Sequence, residues 1–405
     1  MVQRFWQDFG SQRLPVRSLI FLIWIYAFTN SLVGVFSQVY LYQKFASLPL
    51  NIIATMAQYT GIMIGFCVPG YLASIFRINI KHGFLVSFAA IGVALTYLLH
   101  ISDVTTAYLA MFLWGVGQGI YWLTVNTFEL SETIDEERDR YSSFLHAGNQ
   151  ILTLLGPACA ALLIWLAEAA RLGTFTLLFT IAPAVYLLGF FFFANLKDYR
   201  PPQIAWADIV HFFVDKKNQA AQLYTVGTGF KHILGVTIPP LVILLILGTA
   251  LRVGVYNTVL ALFSVLCILA VARFRTPANR LFIYGITLLV VALATVWLGT
   301  QLTLFALIIY TVIEGILSPL MGISQHVIDL HVMEIGRKET DFYATMLLRD
   351  VFLWVWRIVG GITFLLVIQT VSDERTMLSF GLYMLAFALG VMYLGAHLLL
   401  RKPTA

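Results

Sequence analysis

A chain of 405 residues that is 60% hydrophobic and only 11% charged, with mean hydropathy +0.86, cannot clothe water-soluble domains of that length. A net charge of +5 and a pI near 9.0 do not point to nucleic acid, because the cations stand singly between apolar stretches and form no groove-sized patch. Most of the chain needs lipid as its solvent.

Crossing the hydrocarbon core takes about 20 apolar residues. Twelve stretches qualify: 18–42, 50–75, 80–99, 104–129, 142–166, 172–195, 219–247, 253–272, 281–299, 302–328, 342–370 and 377–400. The first follows a basic start as a signal peptide would, but its apolar run is too long and lacks a small-residue cleavage site, so it stays as a span. Cys67, Cys159 and Cys267 all lie inside apolar runs. They give neither a disulfide framework nor a metal-ligand spacing, and read as packing residues; no metal and no cofactor are expected.

One substantial break in hydrophobicity, 196–218, divides the spans six and six. It carries Lys197, Asp198, Arg200, Pro201-Pro202 and then Asp215-Lys216-Lys217. Between the prolines and the lysines, Ile204, Trp206, Ile209, Val210, Phe212 and Phe213 fit either one apolar face of a helix lying in the headgroup region or an ordinary linker with some aromatics. The expected fold is an all-α integral membrane protein with twelve transmembrane helices in two pseudo-symmetric six-helix bundles. Residues 1–195 form the first bundle, 196–218 a cytoplasmic linker, and 219–405 the second bundle.

Lys and Arg alternate between the loops. One set of gaps collects Arg4, Arg13, Arg17, Arg77, Lys81, Arg138, Arg140, Lys197, Arg200, Lys216, Lys217, Arg273, Arg275, Arg280, Arg337, Lys338, Arg401 and Lys402. The other receives only Lys44, Arg171, Arg252 and Arg375. Loops rich in Lys and Arg stay inside, so both termini are expected to be cytoplasmic.

The halves echo each other weakly. Asn30-Ser31-Leu32-Val33-Gly34-Val35 matches Lys231-His232-Ile233-Leu234-Gly235-Val236, and Gln118-Gly119-Ile120 matches Glu314-Gly315-Ile316. Equal span counts fit two parallel repeats about an axis along the membrane normal.

Several local motifs bear on family. After the second span comes Gly70-Tyr71-Leu72-Ala73-Ser74-Ile75-Phe76-Arg77; the fourth span carries Gln118-Gly119, and the fifth carries Gly156-Pro157 followed by Ala160-Ala161. With six plus six spans and a charged middle loop, the chain resembles the major facilitator superfamily of secondary transporters. Tyr121-Trp122-Leu123-Thr124-Val125-Asn126 with the acidic run from Glu129 to Arg140 is similar to bacterial members of that superfamily.

The sequence departs from the family pattern at Ser74, where the loop motif has an acidic residue, and at Gly115, where the fourth-span motif has an arginine. The Gly156-Pro157 element is similar to one associated with antiporters and tilts the reading toward export. The resemblance also implies a bacterial cytoplasmic membrane and a monomer.

A charge near the bilayer centre costs at least about 2.5–3.5 kcal/mol on insertion scales, so it normally faces a partner or a hydrated cavity. Lys231 and Glu314 each lie about twelve residues into their spans, at similar depth. The resemblance places spans 1, 4, 7 and 10 around a central cavity, so Lys231 and Glu314 are expected to face one another, with the neutral Asn30 and Gln118 opposite. The pair is either a switch opened by substrate or proton, or a permanent structural ion pair. Tyr310 and Ser318 flank Glu314 by one turn each, and Pro319 loosens the helix below it. Tyr26, Tyr121 and Trp122 offer aromatic faces to a planar solute, or serve helix packing.

Arg349, Asp350 and Arg357 share span 11 and read as an inter-helix clasp. His146 reads as interfacial. The run Glu129, Glu132, Asp135, Glu136, Glu137, Arg138, Asp139, Arg140 is a solvated loop, or a gate that pairs with Arg77 or with Arg337-Lys338.

The leading function is a secondary active transporter that moves a small-molecule substrate by alternating access, with protons as the coupling ion through Glu314. A polytopic enzyme acting on lipid is the alternative from another class. It lacks support, because HExxH, CxxC and GxxxxGK[ST] are all missing, and His326 with Asp329 is the nearest approach to a dyad, beside His331. A non-transporting sensor or assembly protein is the third reading.

Overall fold

The computed structural model describes residues 9–10, 12–132, 135–204, 219–271, 280–335 and 342–400. The candidate interfacial helix within 205–218, the basic residues Arg273, Arg275, Arg337 and Lys338, and the side chains of Arg138, Arg140, His146, Arg280, His326 and His331 lie outside the described set.

Twelve long helices follow one another without strands among the described residues: α1 Leu14–Phe45, α2 Leu48–Phe76, α3 Gly83–Leu99, α4 Val104–Glu132, α5 Asp135–Ala169, α6 Thr176–Tyr186, α7 Gln219–Leu247, α8 Ala250–Val271, α9 Arg280–Gln301, α10 Leu304–Ile335, α11 Phe342–Ile368 and α12 Glu374–Leu400. After α6 a 3-10 turn, Leu187–Gly189, leads into a last helical turn, Phe190–Phe193, so the sixth span extends to Phe193.

Their ends are written in short polar signals. Ser47, Thr249 and Thr303 each accept from the backbone N–H three residues on, at the starts of α2, α8 and α10. Asp103 and Asp373 do the same with their carboxylates for Thr106 and Thr376 at α4 and α12. Those hydrogen bonds, led by the Thr106 backbone for Asp103 and the Thr376 hydroxyl for Asp373, hold both carboxyls below the usual carboxylate range. At the other ends, Ala46, Arg77, Arg171, Gly248 and Leu302 turn the chain in the left-handed conformation, and the Ile78 N–H closes the α2 terminus onto the Ala73 carbonyl.

Eleven of the helices are long and apolar enough to cross a membrane. The chain is therefore a multi-pass membrane protein. α4 falls below that hydropathy, because Gly115, Gly117, Gln118, Gly119, Thr124 and Asn126 dilute its apolar residues.

The helices group into two compact units: Met1–Ser37 with Ala57–Ile204, and Gln38–Met56 with Ala205–Ala405. Residues 196–204 thus go with the first unit, and the α1–α2 corner goes with the second. That corner has its own polar ties within the second unit. Asn51 Nδ2 donates to the Gln38 carbonyl at 2.8 Å, Gln38 Nε2 donates to Thr55 Oγ1 at 3.2 Å, and the Thr55 and Thr237 hydroxyls share a hydrogen bond of 3.2 Å. Within that unit α7 packs closely on α12. A Cβ on Gly227 would strike the Met392 backbone, and one on Gly395 would strike that of Tyr224.

Candidate functional site

In the first unit, α2 and α4 approach until their backbones touch. Gly61 and Gly65 on α2 face Gly115 and Gly119 on α4, and each pair repeats at four residues, which places both glycines on one helix face. A Cβ on Gly115 would run into the Gln58 carbonyl, and one on Gly119 into that of Ile62. In return, Cβ atoms on Gly61 and Gly65 would meet the carbonyls of Phe112 and Val116. Dispersion over such a dry seam replaces the hydrophobic effect that lipid cannot supply. The Gly115 departure from the family motif follows from this seam, which an arginine would hold open.

The seam brings Gln58 to Gln118. Gln58 Nε2 donates to Gln118 Oε1 at 2.8 Å, and Gln118 Nε2 donates to Tyr26 Oη at 3.1 Å and to Asn30 Oδ1 at 3.4 Å. Tyr26 lies flat on Tyr121, with ring centroids 3.6 Å apart and planes at 14°. Trp122 stands edge-on to both, at 5.7 Å from Tyr26 and 5.2 Å from Tyr121. Tyr121 is fully buried behind this layer, whereas Trp122 is 41% exposed. Of the aromatics marked in the sequence, Trp122 is thus accessible and Tyr121 is packing. Sequence reasoning misses Gln58, although it is the strongly polar residue in the apolar middle of α2.

In the second unit the charges are paired differently from the expectation. Lys231 Nζ on α7 donates to Gln325 Oε1 on α10 at 2.8 Å. Gln325 lies eleven residues (325 − 314) beyond Glu314, a rise of about 16 Å. Among the described residues Lys231 and Glu314 therefore form no direct ion pair; the lysine bonds an amide of α10 instead of the carboxylate. Both charges still act on each other electrostatically, and Asp329 acts on Lys231 as well.

Glu314 lies beside the buried Tyr310, and its Oε2 is sealed from solvent with no hydrogen-bond partner among the described residues. Arg349 bonds Asp329 on α10 at 2.7 Å, with both side chains 20% exposed. The 7% exposed Arg357 donates from Nε to His232 Nδ1 on α7 at 3.3 Å, with its Nη2 2.9 Å from the same nitrogen. Arginine has no acceptor, so Nδ1 must be the accepting nitrogen and a neutral ring carries its proton on Nε2. Asp350 keeps a buried Oδ2 with no partner among the described residues. Arg349 and Arg357 thus reach two different helices, α10 and α7, rather than closing on Asp350.

By sequence, the chain matches no protein-family profile and no curated protein. By structure, it is similar to the nucleoside transporter NupG, crystallised as a point mutant, with a TM-score of 0.66 over 96% of this chain and 100% of that one, at 13% identity. The fold is of the major-facilitator type.

Ser74, the second departure from the family's motifs, has a local explanation in that fold. Its hydroxyl, fully buried, donates to the Pro202 carbonyl at 2.6 Å and accepts from the Ile204 N–H at 2.9 Å. Asn79 Oδ1 accepts from Tyr199 N at 3.2 Å, and Ile80 N donates to the Tyr199 carbonyl at 3.0 Å. Lys81 Nζ pairs with Asp198 at 2.9 Å, and this contact, helped by Asn79, holds the Asp198 carboxyl below the usual range. A serine clasp to the segment after α6 stands at the position where the resembled loop motif has an acidic residue.

The acidic end of α4 is tied in the same unit. Glu132, 6% exposed, pairs with Lys197 at 3.4 Å and Arg13 at 3.9 Å, and Glu129 accepts from Tyr141 Oη at 2.9 Å. Arg77 is exposed at its left-handed turn and makes no ion pair among the described residues.

Proposed function

We propose that the protein is a secondary active transporter, moving a small polar solute across the membrane by alternating access with protons as coupling ion. The observation that carries this reading is the match of almost the whole chain to a transporter fold. NupG is titled a nucleoside transporter, which makes nucleosides the first solutes to test. The Gly156-Pro157 element supports outward transport; Gly156 lies against Ser31, next to Asn30, so α5 bears directly on the helix that carries the first unit's amide.

Glu314 is the proposed proton carrier. An ionised oxygen buried without a partner is costly, so binding or releasing a proton there changes the stability of the surrounding packing. Lys231, held by Gln325, supplies the cationic charge acting on it. Asn30, Gln118 and Trp122 in the first unit and Tyr310 beside Glu314 are the proposed solute-facing or solute-supporting groups, with Tyr121 as the stacked platform. Arg349, Asp350, Arg357 and Arg77 are assigned to holding or gating the helices.

Purified protein in proteoliposomes tests this with labelled uridine and a panel of small solutes, under an imposed pH gradient. Wild type is expected to show solute counterflow and pH-driven flux, and Glu314→Gln to keep counterflow while losing the pH response. Flux at the level of empty liposomes for every solute would refute transport. An unchanged pH response in Glu314→Gln would refute the coupling alone.

A further inference from the structure

We infer that the first unit binds its solute through Gln58 and Asn30, with Gln118 as a positioning residue, and that the solute is an uncharged planar ring carrying an N–H donor beside a carbonyl acceptor. The inference deepens the transporter reading and rests on it for the identity of the site. It follows from the valences of the amide chain. Both N–H donors of Gln118 are committed, to Tyr26 and to Asn30, and its oxygen accepts from Gln58. Gln118, the residue marked by the sequence, has nothing left to offer a ligand except a second lone pair.

Its neighbours do. Gln58 uses one of its two amide N–H donors on Gln118, which leaves Gln58 Oε1 as an acceptor and one N–H uncommitted. Asn30 uses its amide oxygen on Gln118, which leaves Asn30 Nδ2 as a donor. Neither atom has a hydrogen-bond partner among the described residues, and neither is among the polar atoms sealed from solvent. The acceptor on Gln58 and the donor on Asn30 are both anchored to Gln118, and the proposed site takes one solute edge across the two. Trp122 supplies an accessible indole next to this chain through Tyr26, and an indole face takes flat rings. No ionisable carboxylate, amine or guanidinium contributes to the cluster, so a charged edge would find no counter-charge among these groups.

A solute that uses both atoms carries a donor and an acceptor. Gln58 Oε1 needs an N–H from the solute, and Asn30 Nδ2 needs a carbonyl, which is the pattern of a lactam such as the N3–H and C4=O of uracil or the N1–H and C6=O of hypoxanthine. A site built around such hydrogen bonds rejects the analogue lacking the donor far more strongly than a purely apolar site would.

Binding of uracil to the purified wild-type protein, read by quenching of tryptophan fluorescence and by uptake in proteoliposomes, provides the test, with 1,3-dimethyluracil and the carboxylated analogue orotate as comparisons. The expected result is saturable uracil binding, with dimethyluracil and orotate at least about tenfold weaker. Gln58→Met is expected to remove the discrimination against dimethyluracil, and Asn30→Asp, which turns the donor into an acceptor, to weaken uracil without improving dimethyluracil. Trp122→Phe should remove most of the quenching signal.

Equal affinity for uracil and dimethyluracil, or preference for orotate, overturns the inference in wild type alone, whatever the variants do. No saturable binding of uracil or hypoxanthine alongside pH-driven flux of some other solute also overturns it and leaves the transporter reading intact. Donor-dependent uracil binding without flux of any solute does the reverse.

Discussion

Two clusters, one in each unit, hold polar groups inside apolar helices by opposite means. In the first, Gln58, Gln118, Asn30 and Tyr26 satisfy one another as neutral groups, and no counter-charge is needed. In the second, Lys231, Arg349 and Arg357 each take a separate partner on another helix, Gln325, Asp329 and His232, while Glu314 and Asp350 keep bare buried oxygens. A neutral chain is tolerant, since each amide can both donate and accept. A buried charge is exacting, since losing its partner leaves the full desolvation cost uncompensated. The first arrangement suits recognition that repeats without cost, and the second suits a group whose protonation changes the packing around it.

The contrast predicts that single substitutions hurt the charged cluster most. Asp329→Ala strands Arg349 in a site where both side chains are mostly buried. It should cost about 3 kcal/mol or more, seen as the largest fall in melting temperature of the detergent-solubilised protein. Asp329→Asn, which keeps an acceptor, should fall less. If Asp329→Ala melted like wild type, the pair would carry no stability and the contrast would collapse.

Next in size is Gly115→Ala. Its Cβ is driven into the Gln58 carbonyl, and overpacking of this kind costs about 1–3 kcal/mol. It should also disorganise the amide chain, because the seam is what sets Gln58 opposite Gln118. Gly322→Ala and Gly390→Ala, where nothing lies within 4 Å of the new carbon, are the controls. They should be neutral or slightly stabilising through helix propensity.

Much of this is legible in the sequence, for physical reasons that also mark where legibility ends. Apolar length marks the twelve helices, α4 included, even though its glycines and amides lower its hydropathy below that of the other eleven. The same residues that make α4 a poor span make it the centre of the first unit's polar chain. Gln118 and Asn30 stand out as amides in apolar runs and do meet. Gln58 has the same signature but no motif around it to draw the eye.

Depth along their own helices matches Lys231 with Glu314. That count takes the tenth span to end at 328, whereas α10 runs on to Ile335, so Gln325, ten residues (335 − 325) from that end, is level with Lys231, twelve (231 − 219) from the start of α7. Ser74 and Gly115 are visible only as departures from a family pattern. What each does instead depends on a backbone that the helix pattern does not specify: a carbonyl at Gln58, and the Pro202–Ile204 segment.

Smaller effects are expected at the Ser74 clasp. Ser74→Ala removes the acceptor of the buried Ile204 N–H and the donor to the Pro202 carbonyl. An orphaned buried amide costs about 1–3 kcal/mol, and the loss should appear as faster hydrogen exchange at Ile204 with α2 itself unaffected. Protection unchanged at that amide would show that the segment is held by its apolar contacts alone.

The smallest effect is the pH dependence of the Lys81–Asp198 pair, because Asp198 is 68% exposed and water screens such a contact. Lys81 holds the Asp198 carboxyl below its unfolded value. The folded state therefore binds fewer protons, and the contribution is complete above the unfolded carboxylate value and disappears as the pH falls through the lowered one. Asp198→Asn should accordingly melt slightly below wild type at neutral pH and coincide with it in acid. A gap that widened on acidification would have the wrong sign for an ion pair, and no gap at any pH would assign that corner's stability to the Asn79 and Ser74 hydrogen bonds that Asp198→Asn leaves in place.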